Sequence, residues 1–385
     1  MSGLNRLFIT GVSPVTMDDV TSGFNIGKNI SLNHRFNEMI GFTEAEVAQM
    51  TTYYHHEGAL PLPVETALPL MQTWYNNYYL GRRAKTPMYG SNMVLYFLLQ
   101  SQEDDGVPDD LIDPNVQMDY GKLRHLMLID SHIAGDKPTL NGNFSLLQAI
   151  IEDGEVTSPI NPSFPLGELL NRENFISLLY YFGLLSFTGE FRYGVPLLRI
   201  PNRTIKDLMY GYIRSSLSEA KMIRIDIRLL TELLGKMGYR GEWRPFFDYL
   251  NHAVDEQTSM RDHLNAEKVF HGFLLAYLNV THHFHTWSER EMGGGFVDLY
   301  LEPFIARFPN IQYGYLIELK YMSQSEYEKE GGKKKFKKLI TDAQTQLDQY
   351  VNDPRIAEVT QQVTLKRLVL VYRGWELAHA EEMVG

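Results

Sequence analysis

Two apolar runs with alternating hydrophobic and polar positions lie in the last third of the chain. They are FVDLYL at 296–301 and YGYLIELKY at 313–321, and the period of two predicts a β-strand for each. The alternation places Asp298 on one face of the first strand, and Glu318 with Lys320 on one face of the second. Because a bridge rich in turn residues separates the runs, we expect the strands to pair and the two carboxylates to meet at the strand ends.

The sequence on either side of these two strands has the periodicity of helices. One predicted helix before them carries Glu267, and one after them carries Gln346 and Tyr350, which are one turn apart. A further apolar run at 365–374 predicts a buried strand in the same sheet. The middle of the chain has mostly helical patterns, and we interpret its aromatic residues, Trp74 among them, as core packing rather than as a platform for stacking bases.

Composition limits the kind of protein. The 385 residues include no cysteine, so disulfides and cysteine-bound zinc are excluded. No apolar run approaches the roughly 20 residues of a membrane span, and the N-terminus lacks a signal-peptide pattern, so we expect a cytoplasmic protein. With 36 basic and 47 acidic residues the formal net charge is -11, and any contact with a phosphate backbone must therefore be local.

Asp298, Glu318 and Lys320 form the pattern with the clearest chemical meaning. Mg2+ prefers oxygen ligands, commonly one or two carboxylates with waters and substrate phosphate completing the shell. A neighbouring ammonium can orient a water molecule or neutralise charge that grows on a phosphoryl group. Alternatively, Glu318 and Lys320 form a solvent-facing ion pair on an edge strand and perform no chemistry. The apolar residues around them favour a central strand, and hence the metal site.

An Asp followed about 20 residues later by Glu-x-Lys resembles the PD-(D/E)XK nuclease superfamily. The helix with Glu267 and the later Gln-x-x-x-Tyr helix preserve the family's order, although Val297 stands where the family has a proline before the Asp. The resemblance implies an α/β fold with a restriction-endonuclease-like mixed sheet of four or five strands, flanked by those two helices. It also implies hydrolysis of phosphodiester bonds in nucleic acid with Mg2+ or Mn2+, and DNA is the favoured substrate.

The resemblance also implies roles for six residues: Glu267, Asp298, Glu318, Lys320, Gln346 and Tyr350. Asp298 and Glu318 would hold the metal, and Glu267 would complete its shell or bind a second ion. Lys320 would position or activate the attacking water. Gln346 and Tyr350 would orient the substrate or Lys320.

The N-terminal part is similar to bacterial proteins in which an ATPase-like domain precedes a PD-(D/E)XK nuclease domain. The run at 4–16 is similar to their sensor strand, and Gly41 followed by a capping box from Thr43 to Glu46 marks a helix start. The phosphate-binding loop of that family is not found, because GFNIGKN at 23–29 has three residues between its glycines where the motif GxxxxGK[ST] has four. We therefore expect no ATP hydrolysis from this chain alone.

These patterns divide the chain into three parts. Residues 1–205 are predicted to be a mostly helical ATPase-like portion, 206–240 to be linking helices, and 241–385 to be the nuclease-like domain. An alternative function stays open for such a chain. It is a catalytically inactive module, built from nuclease-like and ATPase-like parts, that binds a protein or nucleic-acid partner.

The N-terminal strand carries an expectation of its own. In the resembling proteins it lies inside a parallel sheet, so without its neighbours it has unpaired edges and exposed apolar faces. We expect self-association or contact with a partner chain through Leu7, Phe8 and Ile9.

Two clusters of cationic or titratable residues complete the sequence-based expectations. Six lysines fall between Lys329 and Lys338. They form either a phosphate-binding arm or a flexible solvated loop that enters a helix. Contact with nucleic acid would involve these residues: Lys333, Lys334, Lys335, Lys337 and Lys338. His282, His283 and His285 are interpreted as solvated histidines in preference to a transition-metal site.

Overall fold

The computed structural model describes most of the chain. The described residues are 15–16, 29–116, 129–130, 139–140, 142–219, 223–255, 267–292, 295–350, 353, 356 and 361–383. Leu7, Phe8 and Ile9 lie outside the described residues, as do residues 23–28 of the glycine loop. The expectations attached to them stay predictions.

The chain divides into two compact units. The first comprises Met1–Asp130 with Leu140–Met209, and the second comprises Ser131–Thr139 with Tyr210–Gly385. Within the described residues, no helix is long and apolar enough to cross a membrane. The cytoplasmic location stays a prediction.

The first unit is mostly helical, as the sequence pattern predicts. Its α-helices are α1 (Glu44–His56), α2 (Val64–Tyr75), α3 (Ser91–Glu103), α4 (Gly142–Asp153) and α5 (Arg172–Tyr181), and α6 (Arg203–Glu219) begins there. The strands up to this point are β1 (Val15–Thr16), β2 (Ile129–Asp130), β3 (Thr139–Leu140), β4 (Glu155–Thr157), β5 (Phe164–Pro165), β6 (Ser186–Arg192) and β7 (Val195–Arg199). An antiparallel sheet in the order β4-β7-β6 accompanies the helices.

Local sequence signals explain parts of this unit. The capping box is present at the start of α1, where Thr43 Oγ1 accepts the backbone N–H of Glu46 and the Glu46 carboxylate accepts the N–H of Thr43. Trp74 is fully buried. The interpretation of Trp74 as core packing is therefore confirmed.

The second unit contains the remaining elements. Its helices are α7 (Ile227–Arg240), α8 (Arg244–Asp255), α9 (Glu267–Leu278), α10 (Gln324–Glu328) and α11 (Gly332–Tyr350). Its strands are β8 (Phe284–Met292), β9 (Gly295–Pro303), β10 (Tyr313–Met322), β11 (Thr364–Arg373) and β12 (Glu376–Met383).

These five strands form one mixed sheet in the order β12-β11-β10-β9-β8. All neighbours are antiparallel except β10 and β11, which pair in parallel over their whole length. A parallel pair requires a long crossover connection, and α11 lies in this one. The structure confirms the expected α/β fold, with a mixed sheet flanked by helices in the C-terminal region and a mostly helical N-terminal part.

Helices cover both faces of the central strands. On one face, α11 buries an apolar cluster that includes Leu316 of β10, Leu347 and Val369. On the other, the Tyr315 hydroxyl donates to the backbone carbonyl of Met237 in α7 at 2.7 Å. Because both faces are covered, a charged side chain on β10 is buried unless it reaches the end of the strand.

Candidate active site

The two predicted carboxylates face each other where strands β9 and β10 part. The backbone pairing of these strands runs from Tyr315 opposite Leu301 to Ile317 opposite Leu299. In the same register the next pair is Glu318 with Asp298. The sheet register therefore places both acidic residues at the first position beyond the ladder.

At this position, carboxylate side chains contact the backbone N–H groups of the opposite strand, in place of backbone carbonyls. The backbone N–H of Leu319 donates to Asp298 Oδ2 at 2.9 Å. In return, the backbone N–H of Asp298 makes a long contact of 3.4 Å with Glu318 Oε1. The two carboxylates are thus fixed to the opposite strand, and this limits their freedom to rotate away from each other.

Lys320 joins the two carboxylates. Its Nζ lies 3.0 Å from Asp298 Oδ2 and 2.6 Å from Glu318 Oε2. The exposed fractions of the side chains are 29% for Asp298, 18% for Lys320 and 0% for Glu318. A solvent-facing ion pair, the alternative open at the level of sequence, is therefore wrong for Glu318.

Burial changes the acidity of this cluster. Burial, and then the neighbouring charge of Asp298, raise the pKa of Glu318 to about 7, although Lys320 acts in the opposite direction. Burial alone would lower the pKa of Lys320, but the carboxylates of Asp298 and Glu318 outweigh it and raise that pKa above its usual value. The cluster therefore holds one firmly charged ammonium beside a carboxyl group that titrates near neutral pH.

Tyr350, at the end of α11, contacts the strand that carries Asp298. Its hydroxyl donates to the backbone carbonyl of Phe296 at 2.7 Å. Burial raises the pKa of Tyr350, and the negative charges of Glu318 and Asp298 raise it further, so the phenol stays protonated. A Cβ added at Gly295 would lie 3.1 Å from Tyr350 Cε1, so the glycine permits this close approach.

The remaining predicted site residues are less fully placed. Gln346 lies half-buried on α11, one turn before Tyr350, and its side chain has no hydrogen bond within the described part of the chain. Glu267 is the first residue of α9, but its side chain lies outside what the structure describes. Asp298, Glu318, Lys320 and Tyr350 are thus brought together, and the roles of all six residues stay predictions.

The oxygen ligands at this site fit a hard divalent cation. Across the described residues, no group of three or more His, Asp or Glu is arranged to hold a metal. Asp298 and Glu318 nevertheless provide two converging carboxylates, which is the number that Mg2+ commonly takes from a protein. Both already converge on one positive charge, the ammonium of Lys320. Asp298 and Glu318 would hold the cation.

Comparison with known proteins agrees with this geometry. Residues 265–382 match the family model of the PD-(D/E)XK nuclease superfamily. This nuclease-like segment contains the whole five-stranded sheet up to Glu382 and all six predicted site residues. Comparisons with curated proteins and with solved structures gave no match. The match does not reach the N-terminal part, so the ATPase-like resemblance there has no support.

The nuclease-like segment also corrects two expectations. The lysines from Lys333 to Lys338 do not form a flexible loop, because they occupy the first two turns of α11. His283 and His285 are half-buried rather than solvated. The ring centroid of His283 lies 4.8 Å from that of Phe308, and the ring centroid of His285 lies 4.3 Å from that of Phe304.

One polar group near the site was not anticipated. Glu381 of β12 lies opposite Val369, which in turn lies opposite Glu318. The Glu381 carboxylate accepts hydrogen bonds from Gln344 of α11 at 2.9 Å and contacts His379 at 3.1 Å. At about 4.8 Å per strand, this group lies about 10 Å from Glu318 across the sheet. Alternation in ELAHAEEM places His379 and Glu381 on one face and is the sequence signal for it.

Proposed function

We propose that this chain hydrolyses phosphodiester bonds in nucleic acid, with DNA as the expected substrate and Mg2+ or Mn2+ as the cofactor. The observation that carries the proposal is the convergence of Asp298 and Glu318 on Lys320 Nζ at the end of the β9–β10 ladder. The order of these residues along the chain and the matching nuclease family model support it.

Each side chain has a defined task in this proposal. Asp298 and Glu318 would hold the cation, whose chemistry when bound would be to polarise a phosphoryl group and lower the pKa of a water molecule. Lys320, held by both carboxylates, orients that water or neutralises charge on the phosphate. Tyr350 holds the start of β9 in place through the Phe296 carbonyl and so positions Asp298. Glu267 would complete the metal shell, and Gln346 would orient the substrate.

Cleavage of plasmid and single-stranded DNA with Mg2+ or Mn2+ tests the proposal. Asp298→Asn and Lys320→Ala should each lower the rate by about 100-fold or more, because each removes a charge from the reacting centre. Lys366→Ala is the matched control, since Lys366 is 19% exposed and pairs with Glu382 at 2.7 Å on a neighbouring strand. Melting curves of all the variants separate loss of chemistry from loss of folding. Equal cleavage by all four proteins would overturn the proposal.

A second candidate is a module that binds a partner without catalysis. It is favoured by one observation: the Lys320 ammonium already bonds both carboxylates, so each acidic group has a cationic partner without a metal ion. Calorimetric titration with Mg2+ and Mn2+ distinguishes the two. The nuclease should bind metal in a way that Asp298→Asn weakens, whereas the binding module should show no carboxylate-dependent heat.

A further inference from the structure

The first two turns of α11 carry a concentration of positive charge with no structural explanation. Lys333, Lys334, Lys337 and Lys338 are exposed there, and we call these four residues the lysine face. Positions 333 and 337, like 334 and 338, are four residues apart and thus neighbours on the helix surface. Within the described residues, none of the four has an ion-pair partner, whereas Lys335 beside them pairs with Glu326 at 3.0 Å.

This arrangement opposes helix stability. Like charges four residues apart repel each other, and positive charge at the N-terminal end of a helix is unfavourable because the helix dipole is positive there. A polyanion bound to this surface would remove both penalties. The chain as a whole carries a net charge of -11, so a polyanion would be attracted to a local cationic surface rather than to the chain in general.

The surface beside the lysine face is concave. Lys333 and Lys334 line a groove of about 440 Å³ together with Tyr327, Glu328 and Lys329. Arg373 lies over the Tyr327 ring at 4.6 Å and pairs with Glu376. The Glu328 carboxylate accepts a hydrogen bond from Gln324 at 2.6 Å. Lysines thus supply three of the six residues that line the groove.

Helix geometry separates the lysine face from the carboxylate site. At about 1.5 Å per residue, Lys338 lies about 18 Å and Lys333 about 26 Å along α11 from Tyr350. Tyr350 is next to the site, because its hydroxyl bonds the Phe296 carbonyl and the charges of Glu318 and Asp298 act on it. The axial rise of the helix thus separates the lysines from Tyr350, and we expect them to contact another part of a long substrate.

We propose that the lysine face binds the phosphate backbone of a polynucleotide about 18 to 26 Å from the cleaved bond. This inference rests on the proposed function for the identity of the carboxylate site. At about 3.4 Å per base pair, the distance corresponds to roughly five to eight base pairs of duplex. The chain therefore prefers a nucleic acid long enough to span both surfaces over a short one.

Binding to fluorescent DNA duplexes, followed by anisotropy in metal-free buffer, tests the proposal without any cleavage. The variant in which all four lysines become Gln should bind a duplex longer than about eight base pairs at least about tenfold more weakly at about 50 mM salt. The slope of log affinity against log salt should fall by roughly three to four. Glutamine retains good helix propensity, so α11 should still form.

Two comparisons make the result decisive. The variant with Arg at the same four positions keeps the charge and should bind like wild type, whereas equal weakness of the Arg and Gln variants would overturn the proposal. Wild-type affinity should rise as a hairpin stem lengthens past about five to eight base pairs, and the Gln variant should lack this rise. Equal affinity and salt slope for wild type and the Gln variant would also overturn it. Cleavage is not measured, so failure of the Asp298→Asn test is a separate result.

Discussion

Asp298 lies opposite Glu318, one position beyond the last backbone pair of β9 and β10, and Leu319 binds its carboxylate through a backbone N–H. At this point the side chains replace the sheet's own hydrogen bonds. A structural strand would continue its ladder here, since unpaired backbone groups are costly when buried. The interruption places two carboxylates and Lys320 at one opening, which is the geometry that the proposed chemistry needs.

The stability of the metal-free protein should depend on Glu318 between about pH 4.5 and 7. The folded-state pKa of Glu318, about 7, is above the ordinary value of 4.5, so the folded state binds the proton more tightly. The stabilisation that comes from this tighter proton binding is fully present below about pH 4.5 and is lost as the pH rises to about 7. It amounts to at most about 3 kcal/mol. Glu318→Gln should therefore melt higher than wild type at alkaline pH in EDTA, with the difference shrinking in acid. Parallel melting profiles across this pH range would contradict it.

Divalent metal should reverse the order of the two melting temperatures at alkaline pH, so that wild type melts higher than Glu318→Gln. Mg2+ or Mn2+ stabilises only a folded state that binds it, and the ionised Glu318 is the form that binds. We expect the melting temperature of wild type at about pH 8 to rise with metal concentration, and that of Glu318→Gln to rise much less. Thermal scans over a metal titration measure both. An equal rise in the two proteins would place the metal elsewhere.

Tyr350→Phe should lower stability modestly and DNA cleavage strongly. The change removes the hydrogen bond to the Phe296 carbonyl, which contributes about 0.5 to 1.5 kcal/mol, and it frees the start of β9 beside Asp298. Tyr315→Phe is the matched control, because its hydroxyl also donates to a backbone carbonyl at 2.7 Å but on the opposite face of the sheet. Denaturant melts and cleavage rates distinguish them. Equal rates for the two variants would argue against positioning by Tyr350.

Gly295→Ala should destabilise the second unit, because the new Cβ would lie 3.1 Å from the Tyr350 ring. Overpacking of this kind typically costs about 1 to 3 kcal/mol. Gly272→Ala in α9 is the control: among the described residues, no atom apart from the backbone of its own helix and its chain neighbours lies within 4 Å of the added Cβ, and alanine favours a helix over glycine. A double variant of Gly295→Ala with Tyr350→Leu should recover part of the loss in a denaturant melt. Additive costs would show that Tyr350 is not the obstacle.

Thr43→Ala should weaken the start of α1 by about 1 kcal/mol, since it removes the side-chain oxygen that accepts the Glu46 backbone N–H. Thr52→Ala, in the same helix, is the control, because its hydroxyl only bonds back to the Ala48 carbonyl. Urea denaturation compares the two. An equal or larger loss for Thr52→Ala would mean that the cap contributes little.

Much of the candidate site was determined by local sequence. A period of two placed Glu318 and Lys320 on one face of a strand, and both lie within 3.0 Å or less of a partner there. Helical periodicity located α9 and α11, and the capping box located the start of α1. These features depend on residues only a few positions apart, so the chain's own pattern specifies them.

Tertiary structure decided what depends on distant residues. The register that sets Asp298 against Glu318, the burial that raises the pKa of Glu318, and the reach of Tyr350 to Phe296 all join elements 20 or more positions apart. The sequence predicted that the lysines form a loop or an arm beside the site, because their separation from Lys320 could be judged only from the number of residues between them. They belong to a helix instead, and Lys338 lies about 18 Å from Tyr350 along its axis, since each residue adds about 1.5 Å.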